Sequence, residues 1–241
     1  MRIWIHRLLR GLGWELQRFR NSNSEPRVLA DILRFTRPDV VLDVGANLGQ
    51  FGDQLLSLGY SGKLVSFEAI PNVHSQLQQH ARHRSKSWIV APCAALGSRR
   101  GSIDINISAN VLSSSVLPMR EAHLSAAPTS NYVDRQSVAM ERLDQLARQF
   151  VPESARVFIK IDTQGYELEV FKGAADLLPQ TAGLQLELSL APLYEGAPTF
   201  MEMIAVLQSS GFEPFGVVPV FRDAGTGRLL QVDGYFTRAG S

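Results

Sequence analysis

Residues 40–51 constrain the fold more than any other stretch. Val40, Val41, Leu42, Asp43 and Val44 form a short, largely β-branched run that breaks into Gly45, Ala46, Asn47, Leu48 and Gly49, then into a helix-like pattern from Gln50 and Phe51. An apolar run bounded by turn signals reads as a strand buried on both faces, and glycine after such a strand lets backbone approach a ligand at a helix N-terminus. The full dinucleotide fingerprint G-x-G-x-x-G is absent, because Asn47 stands between Gly45 and Gly49. A pyrophosphate ligand is therefore disfavoured. Asp43 sharpens this, since a carboxylate at the strand end repels phosphate but accepts hydrogen bonds from an ammonium group. S-adenosylmethionine carries such an ammonium; the competing reading is an ordinary βα turn with no ligand.

At 241 residues the chain suits one large α/β domain. Charged residues make up 20% and the formal net charge is +1, so no global field draws in nucleic acid and none is expected as a partner. Cys93 is the single cysteine, which excludes an intramolecular disulfide and a cysteine-built zinc site, and a cytoplasmic location fits. Cys93 itself reads as a small buried apolar residue. In residues 1–20, Arg2, Arg7, Arg10, Arg18 and Arg20 alternate with Trp4, Leu8, Leu12, Leu16 and Phe19 at helical spacing. The stretch lacks the apolar run of a signal peptide and is too polar to span a bilayer. It reads either as a helix capping the domain or as a peripheral contact with the inner face of an anionic membrane. Residues 1–37 are taken as an N-terminal helical extension and 38–241 as the domain.

Further on, Lys63 to Phe67 gives a second strand ending in Glu68, where a carboxylate would take ribose hydroxyls. Residues 88–91 form a third strand leading to Ala94, Ala95 and Leu96, small residues able to floor an adenine pocket. Residues 102–107 alternate as a half-exposed strand does. The serine-rich segment 108–131 then shows no sustained period; a loop that long in a compact domain is a lid, a binding loop or a disordered linker. Residues 138–143 give a short strand. Residues 156–162 give another buried strand, ending in Asp162, with Thr163, Gln164 and Gly165 opening a helix predicted through residue 178. Period two puts Phe158, Lys160 and Asp162 on one face, so Lys160 and Asp162 are either functional or a simple ion pair. Glu187 lies near the carboxyl end of strand 184–190, and residues 213–222 and 229–238 form a terminal hairpin. The order implies a mostly parallel α/β sheet with an antiparallel C-terminal edge and ligands at the carboxyl ends of the strands.

The residues Asp43 to Phe51, then Phe67 and Glu68, then Lys160, Ile161, Asp162, Thr163, Gln164, Gly165, Tyr166 and Glu167, then Glu187, Leu188, Ser189 with Leu193, Tyr194, Glu195 and Gly196, resemble FkbM-like S-adenosylmethionine-dependent methyltransferases. The resemblance covers about residues 40–212. It implies a Rossmann-like seven-stranded methyltransferase sheet and methyl transfer to oxygen, typically a sugar hydroxyl of a glycan, glycolipid or polyketide-derived product. Many members carry Pro where this chain has Ala69, and an acid where it has Gln164; the second departure argues against carrying a carboxylate role or metal ligation over to position 164.

On this reading Asp43, Gly45, Asn47 and Gly49, with Phe51, hold the methionine end, Glu68 the ribose, and Ala94, Ala95 and Leu96 the adenine. The candidate bases are Asp162, then Glu187, then His123 in the loop. A Mg²⁺ held by Asp162 and Glu187 is an alternative, not adopted because no third ligand is evident. Aromatic residues to stack on a planar acceptor are missing from the loop until Tyr132, which favours a sugar over a phenol. The reading from a different class is a nucleoside-binding or regulatory protein of the same fold that transfers nothing.

Overall fold

The structure is a computed structural model that describes residues 24–240. The amphipathic helix expected over residues 1–20 lies outside them. A seven-stranded sheet has the order β3-β2-β1-β7-β8-β10-β9, with β1 (Val40–Val44), β2 (Lys63–Phe67), β3 (Trp88–Val90), β7 (Val157–Ile161) and β8 (Thr181–Ser189) parallel. β10 (Leu229–Arg238) pairs antiparallel with β8 and with the edge strand β9 (Phe212–Arg222). The chain leaves β1 toward β2 on one side and later returns to β7 on the other. The β1/β7 boundary is therefore the topological switch point, where open α/β sheets leave a crevice.

Period-two alternation decides which face each strand residue joins. Val41 and Phe158 pack with Leu29 and Ile32 of α1 (Glu25–Thr36), Leu55 of α2 (Gln50–Ser57), and Leu77 and Ala81 of α3 (Pro71–Arg84). Val40, Leu42, Ile159 and Ile161 pack on the opposite face. α1, counted in sequence with the extension, is thus part of the sheet's own core.

A second, three-stranded sheet, β4 (Ala95–Leu96), β6 (Tyr132–Glu141) and β5 (Gly101–Ser108), stands beside the carboxyl ends of the large sheet. Segment 108–131 between β5 and β6 is more structured than its sequence suggests. It holds a 3₁₀ turn at Val111–Ser113, helix α4 (Glu121–Ala126) and a 3₁₀ turn at Pro128–Ser130. Its serines bond internally: Ser108 Oγ donates to Ser130 O at 2.9 Å, and the Ser113 and Ser130 hydroxyls share a 3.0 Å bond.

The helix predicted through residue 178 is split. Helix α6 (Glu167–Lys172) stops at Gly173, where any side chain would overlap the Gly97 carbonyl, and a 3₁₀ stretch over Ala175–Gln180 holds Pro179. Upstream of β7, α5 (Leu143–Ala147) buries Leu143 and Ala147. Helix α7 (Phe200–Ser209) begins with a capping box in which Thr199 and Glu202 exchange hydrogen bonds, satisfying two orphan N–H donors.

Candidate active site

A cavity of about 590 Å³ opens at the switch point. Two similar turns form its base. Asn47, at φ 48°, and Gly45, at φ +73°, occupy the left-handed region, and a Cβ on Gly45 would overlap the Asp162 carbonyl. Glycine is thus required because the turn after β1 touches backbone of the turn after β7. Gly49 was expected at the cofactor. It does not line the cavity, and a Cβ there would come 2.8 Å from the Trp88 ring, so its role is packing.

Glu68 is buried and lines the cavity. Its Oε2 accepts from the Asn47 N–H at 2.9 Å and its Oε1 from the Ile70 N–H at 2.8 Å. Burial pushes its carboxyl upward against the opposing pull of those N–H groups. A carboxylate has about four acceptor sites, so each oxygen retains capacity for one more donor, as a ribose diol needs. Ala94, Ala95 and Leu96 line the same cavity with Phe67, Ile70 and Ile105. A purine ring suits those apolar walls, and a nucleoside cofactor fits this end.

Asp43 lies behind the cavity wall. It is fully buried, with Oδ1 3.3 Å from Lys160 Nζ and Oδ2 accepting from Ser66 Oγ at 3.0 Å. The ammonium that Asp43 was expected to take from a ligand is therefore supplied by the protein. Lys160 also approaches Asp162 Oδ2 at 3.4 Å, donates to Gly45 O at 3.1 Å and lies over the Phe51 ring. Burial works against its charge, but Asp162, Asp43 and Asp233 outweigh it, and its pKa is raised. Lys160 is thus both buried ion-pair partner and part of the cavity lining, alongside Phe51.

Of the three carboxylate and histidine bases expected, the cavity reaches one. Asp162 lines it, with Oδ1 accepting from Gln164 Nε2 at 2.8 Å. Glu187 does not; its Oε2 accepts from Gln164 Nε2 at 2.8 Å and from Gln231 Nε2 at 2.7 Å. Burial, with Asp162, Glu167 and Asp233 adding, raises its pKa well above the carboxylate range. His123 is also away from the cavity, buried between the Tyr194 and Phe221 rings at 5.3 Å from each, and burial lowers its pKa. Burial among rings leaves it no route to an acceptor.

Gln164 ties these parts together. Held at φ 54°, it accepts from Tyr194 Oη at 2.7 Å through Oε1, and its backbone carbonyl accepts from Ser115 Oγ at 2.6 Å. Glu167 Oε1 pins the same turn through the N–H groups of Thr163 at 2.9 Å and Gly165 at 3.1 Å. Burial raises Glu167 to about 7.

Among the lining residues not singled out in sequence are Glu25 at the start of α1, Gln185 on β8 and Asp233 on β10. A signal for Asp233 was present. Gln231, Asp233 and Tyr235 share one face of a strand that otherwise runs apolar from Leu229 to Phe236, the same anomaly that singled out Lys160. Among the described residues no group of three or more His, Cys, Asp or Glu side chains is arranged to hold a metal ion.

The Methyltransferase FkbM domain family matches residues 43–214 of this chain. The 2-O-methyltransferase NoeI of Sinorhizobium fredii is 28% identical over 181 residues, spanning 72% of this chain and 73% of that protein. Among solved structures, a putative O-methyltransferase from Klebsiella pneumoniae superposes with a TM-score of 0.52 at 10% identity, covering 99% of this chain and 89% of that one, a likeness of fold. The doubly wound sheet, the nucleoside-sized cavity at its switch point and a family match spanning both glycine turns agree: the chain belongs to the FkbM family of methyltransferases and is an S-adenosylmethionine-dependent methyltransferase.

Proposed function

We propose that the protein is an O-methyltransferase acting on a sugar hydroxyl of a glycan, glycolipid or glycosylated natural product. The observation that carries this reading is the cavity lining taken in sheet order. Glu68 and the apolar Ala94, Ala95 and Leu96 follow β2 and β3, whereas Asp162, Gln185 and Asp233 belong to the β7, β8 and β10 side, with Glu25 from α1, a set rich in hydrogen-bond acceptors. Such a lining suits a ring that presents several hydroxyl donors rather than a flat phenol. The 2-O-methyltransferase NoeI is consistent with oxygen as the methylated atom.

Bound S-adenosylmethionine supplies an activated methyl group, so the protein's task is placement and proton acceptance. Glu68 takes the ribose diol, Ala94, Ala95 and Leu96 border the adenine, and Gly45 and Asn47 border the methionine end. Phe51 and Lys160 line the cavity together, the Lys160 ammonium lying over the Phe51 ring. Asp162, with both oxygens engaged, orients the acceptor. Val111, Leu112, Ser114 and Ser115 contribute a wall from segment 108–131.

The reading is tested by incubating the protein with methyl-labelled cofactor and a glycolipid extract of the source cell, then locating the label. Label on a sugar oxygen is the expected result. Label confined to protein, nucleic acid or a small phenol would refute the sugar assignment, and cofactor binding without transfer to any acceptor would favour a nucleoside-binding protein of the same fold.

A further inference from the structure

The acceptor end of the cavity holds two hydrogen-bond acceptors for which no donor is supplied among the described residues. Gln185 is buried on β8 and lines the cavity. Its Nε2 donates to Asp233 Oδ2 at 3.1 Å, which sets the orientation of the amide, while its Oε1 is buried without a hydrogen-bond partner among the described residues. Asp233 Oδ1 likewise takes no hydrogen bond among the described residues, and Asp233 lines the cavity beside it. Buried polar atoms in native proteins are nearly always paired, and an orphan acceptor in a ligand cavity points to a donor on the ligand.

The groups facing Asp233 come from four elements. Lys160 and Asp162 approach from the β7 strand and turn, Gln185 and Glu187 from β8, Glu25 from α1 and Tyr235 from its own strand. The one cation among them, Lys160, is already held by Asp43 and Asp162. Burial therefore dominates and raises the Asp233 carboxyl to about 7, with Asp162 and Glu25 adding and Lys160 and Gln185 opposing. Near neutral pH such a group both exists as carboxylate and holds a proton well. Asp162 is already bonded to Gln164 and Lys160, so each of its oxygens has one acceptor position left, whereas Asp233 Oδ1 carries no bond among the described residues; Glu187 does not line the cavity.

Resting on the O-methyltransferase reading, we propose that Asp233, oriented by Gln185, receives the proton of the acceptor hydroxyl while Gln185 Oε1 accepts a hydrogen bond from a neighbouring hydroxyl of the same ring. As the hydroxyl oxygen forms its bond to the methyl carbon, the carbon–sulfur bond breaks and its electron pair stays on sulfur. The hydroxyl proton passes to Asp233 and reaches solvent after product leaves. A vicinal diol meets both acceptors at once. A ring carrying a carboxylate or phosphate beside the reacting hydroxyl meets Glu25, Asp162 and Asp233 and is excluded.

The full chain and its Asp233→Asn variant are compared, with folding checked by circular dichroism and cofactor affinity by calorimetry. The variant is expected to keep S-adenosylmethionine affinity within about threefold while transfer to whichever hydroxyl acceptor the wild type methylates falls by about 10²-fold or more. A second measurement does not depend on turnover. Carboxyl-labelled aspartate NMR of the cofactor-free protein should show a resonance, absent from Asp233→Asn, that titrates near about 7 and shifts with a vicinal-diol glycoside but not with its dideoxy analogue. A folded variant that transfers within about threefold of wild type overturns the proposal. So does an Asp233 resonance that titrates at an ordinary aspartate value and ignores the glycoside. If the wild type methylates only a hydroxyl compound that is not a sugar, the sugar reading fails, while loss of that activity in Asp233→Asn still supports Asp233 as proton acceptor.

Discussion

An amide at position 164 answers an electrostatic problem that a carboxylate would create. Gln164 Nε2 donates to Asp162 and to Glu187, each at 2.8 Å, so an acid there would bring a third negative group between two others and remove their shared donor. Gln164→Glu is expected to lose about 2–3 kcal/mol of stability near neutral pH, read from urea unfolding. The sign of its pH dependence follows from the same geometry. The fold would favour the new carboxyl protonated, raising its pKa, so the penalty is small at acid pH and grows as pH rises above the unfolded value of about 4.3. Equal stability at neutral pH would show that the shared donor is dispensable. Glu68 was legible in sequence because an acid ending the second strand has a fixed place in such sheets. Gly49 was misread because nothing local says whether a turn glycine faces a ligand or, as here, an indole.

Segment 108–131 shows how an element can hide. Its helix and turns are short, and its order comes from serine hydroxyls bonded to each other and to distant backbone, which leaves no hydrophobic period to read. Tyr132 Oη donates to Leu117 O at 2.7 Å, and Ser115 joins the segment to the turn after β7 through Gln164 O. Ser115→Ala should therefore weaken acceptor use more than cofactor binding. We expect KM for the acceptor to rise several-fold, consistent with a lost hydrogen bond of about 1 kcal/mol, with S-adenosylmethionine affinity within about twofold. An equal loss in both would place Ser115 in the cofactor compartment instead. The strand and turn elements at 40–51 and 156–167 were legible because acid, glycine and helix start are adjacent in the chain. The meeting of Asp233 with Gln185 was not, because an antiparallel strand from the C-terminal hairpin meets β8 only once the sheet has formed.

Across the whole molecule, polar side chains cross the apolar sheet in one register row. Ser66, Asp43, Lys160, Gln185 and Tyr235 are cross-strand partners on β2, β1, β7, β8 and β10. The acids at its acceptor end link stability to pH. Asp233 is raised to about 7 by burial, so the folded state holds its proton more firmly than the unfolded chain. Its contribution is present at low pH and lost as pH rises from the unfolded value toward about 7. Between about pH 5 and about pH 8 the drop in urea midpoint should accordingly be smaller in Asp233→Asn than in the wild type; an identical drop would remove Asp233 as its source. At its other end the row meets Trp88, whose Nε1 donates to Ser66 Oγ at 3.0 Å and whose ring abuts Gly49 and Gly52. The molecule thereby carries its own fluorophore, set against the turn that borders the cofactor and joined through Ser66 and Asp43 to Lys160. In a background with Trp4 and Trp14 replaced by Phe, indole emission is expected to change as S-adenosylmethionine fills the cavity, with no label attached; an unchanged spectrum at saturation would show that the row carries no such signal.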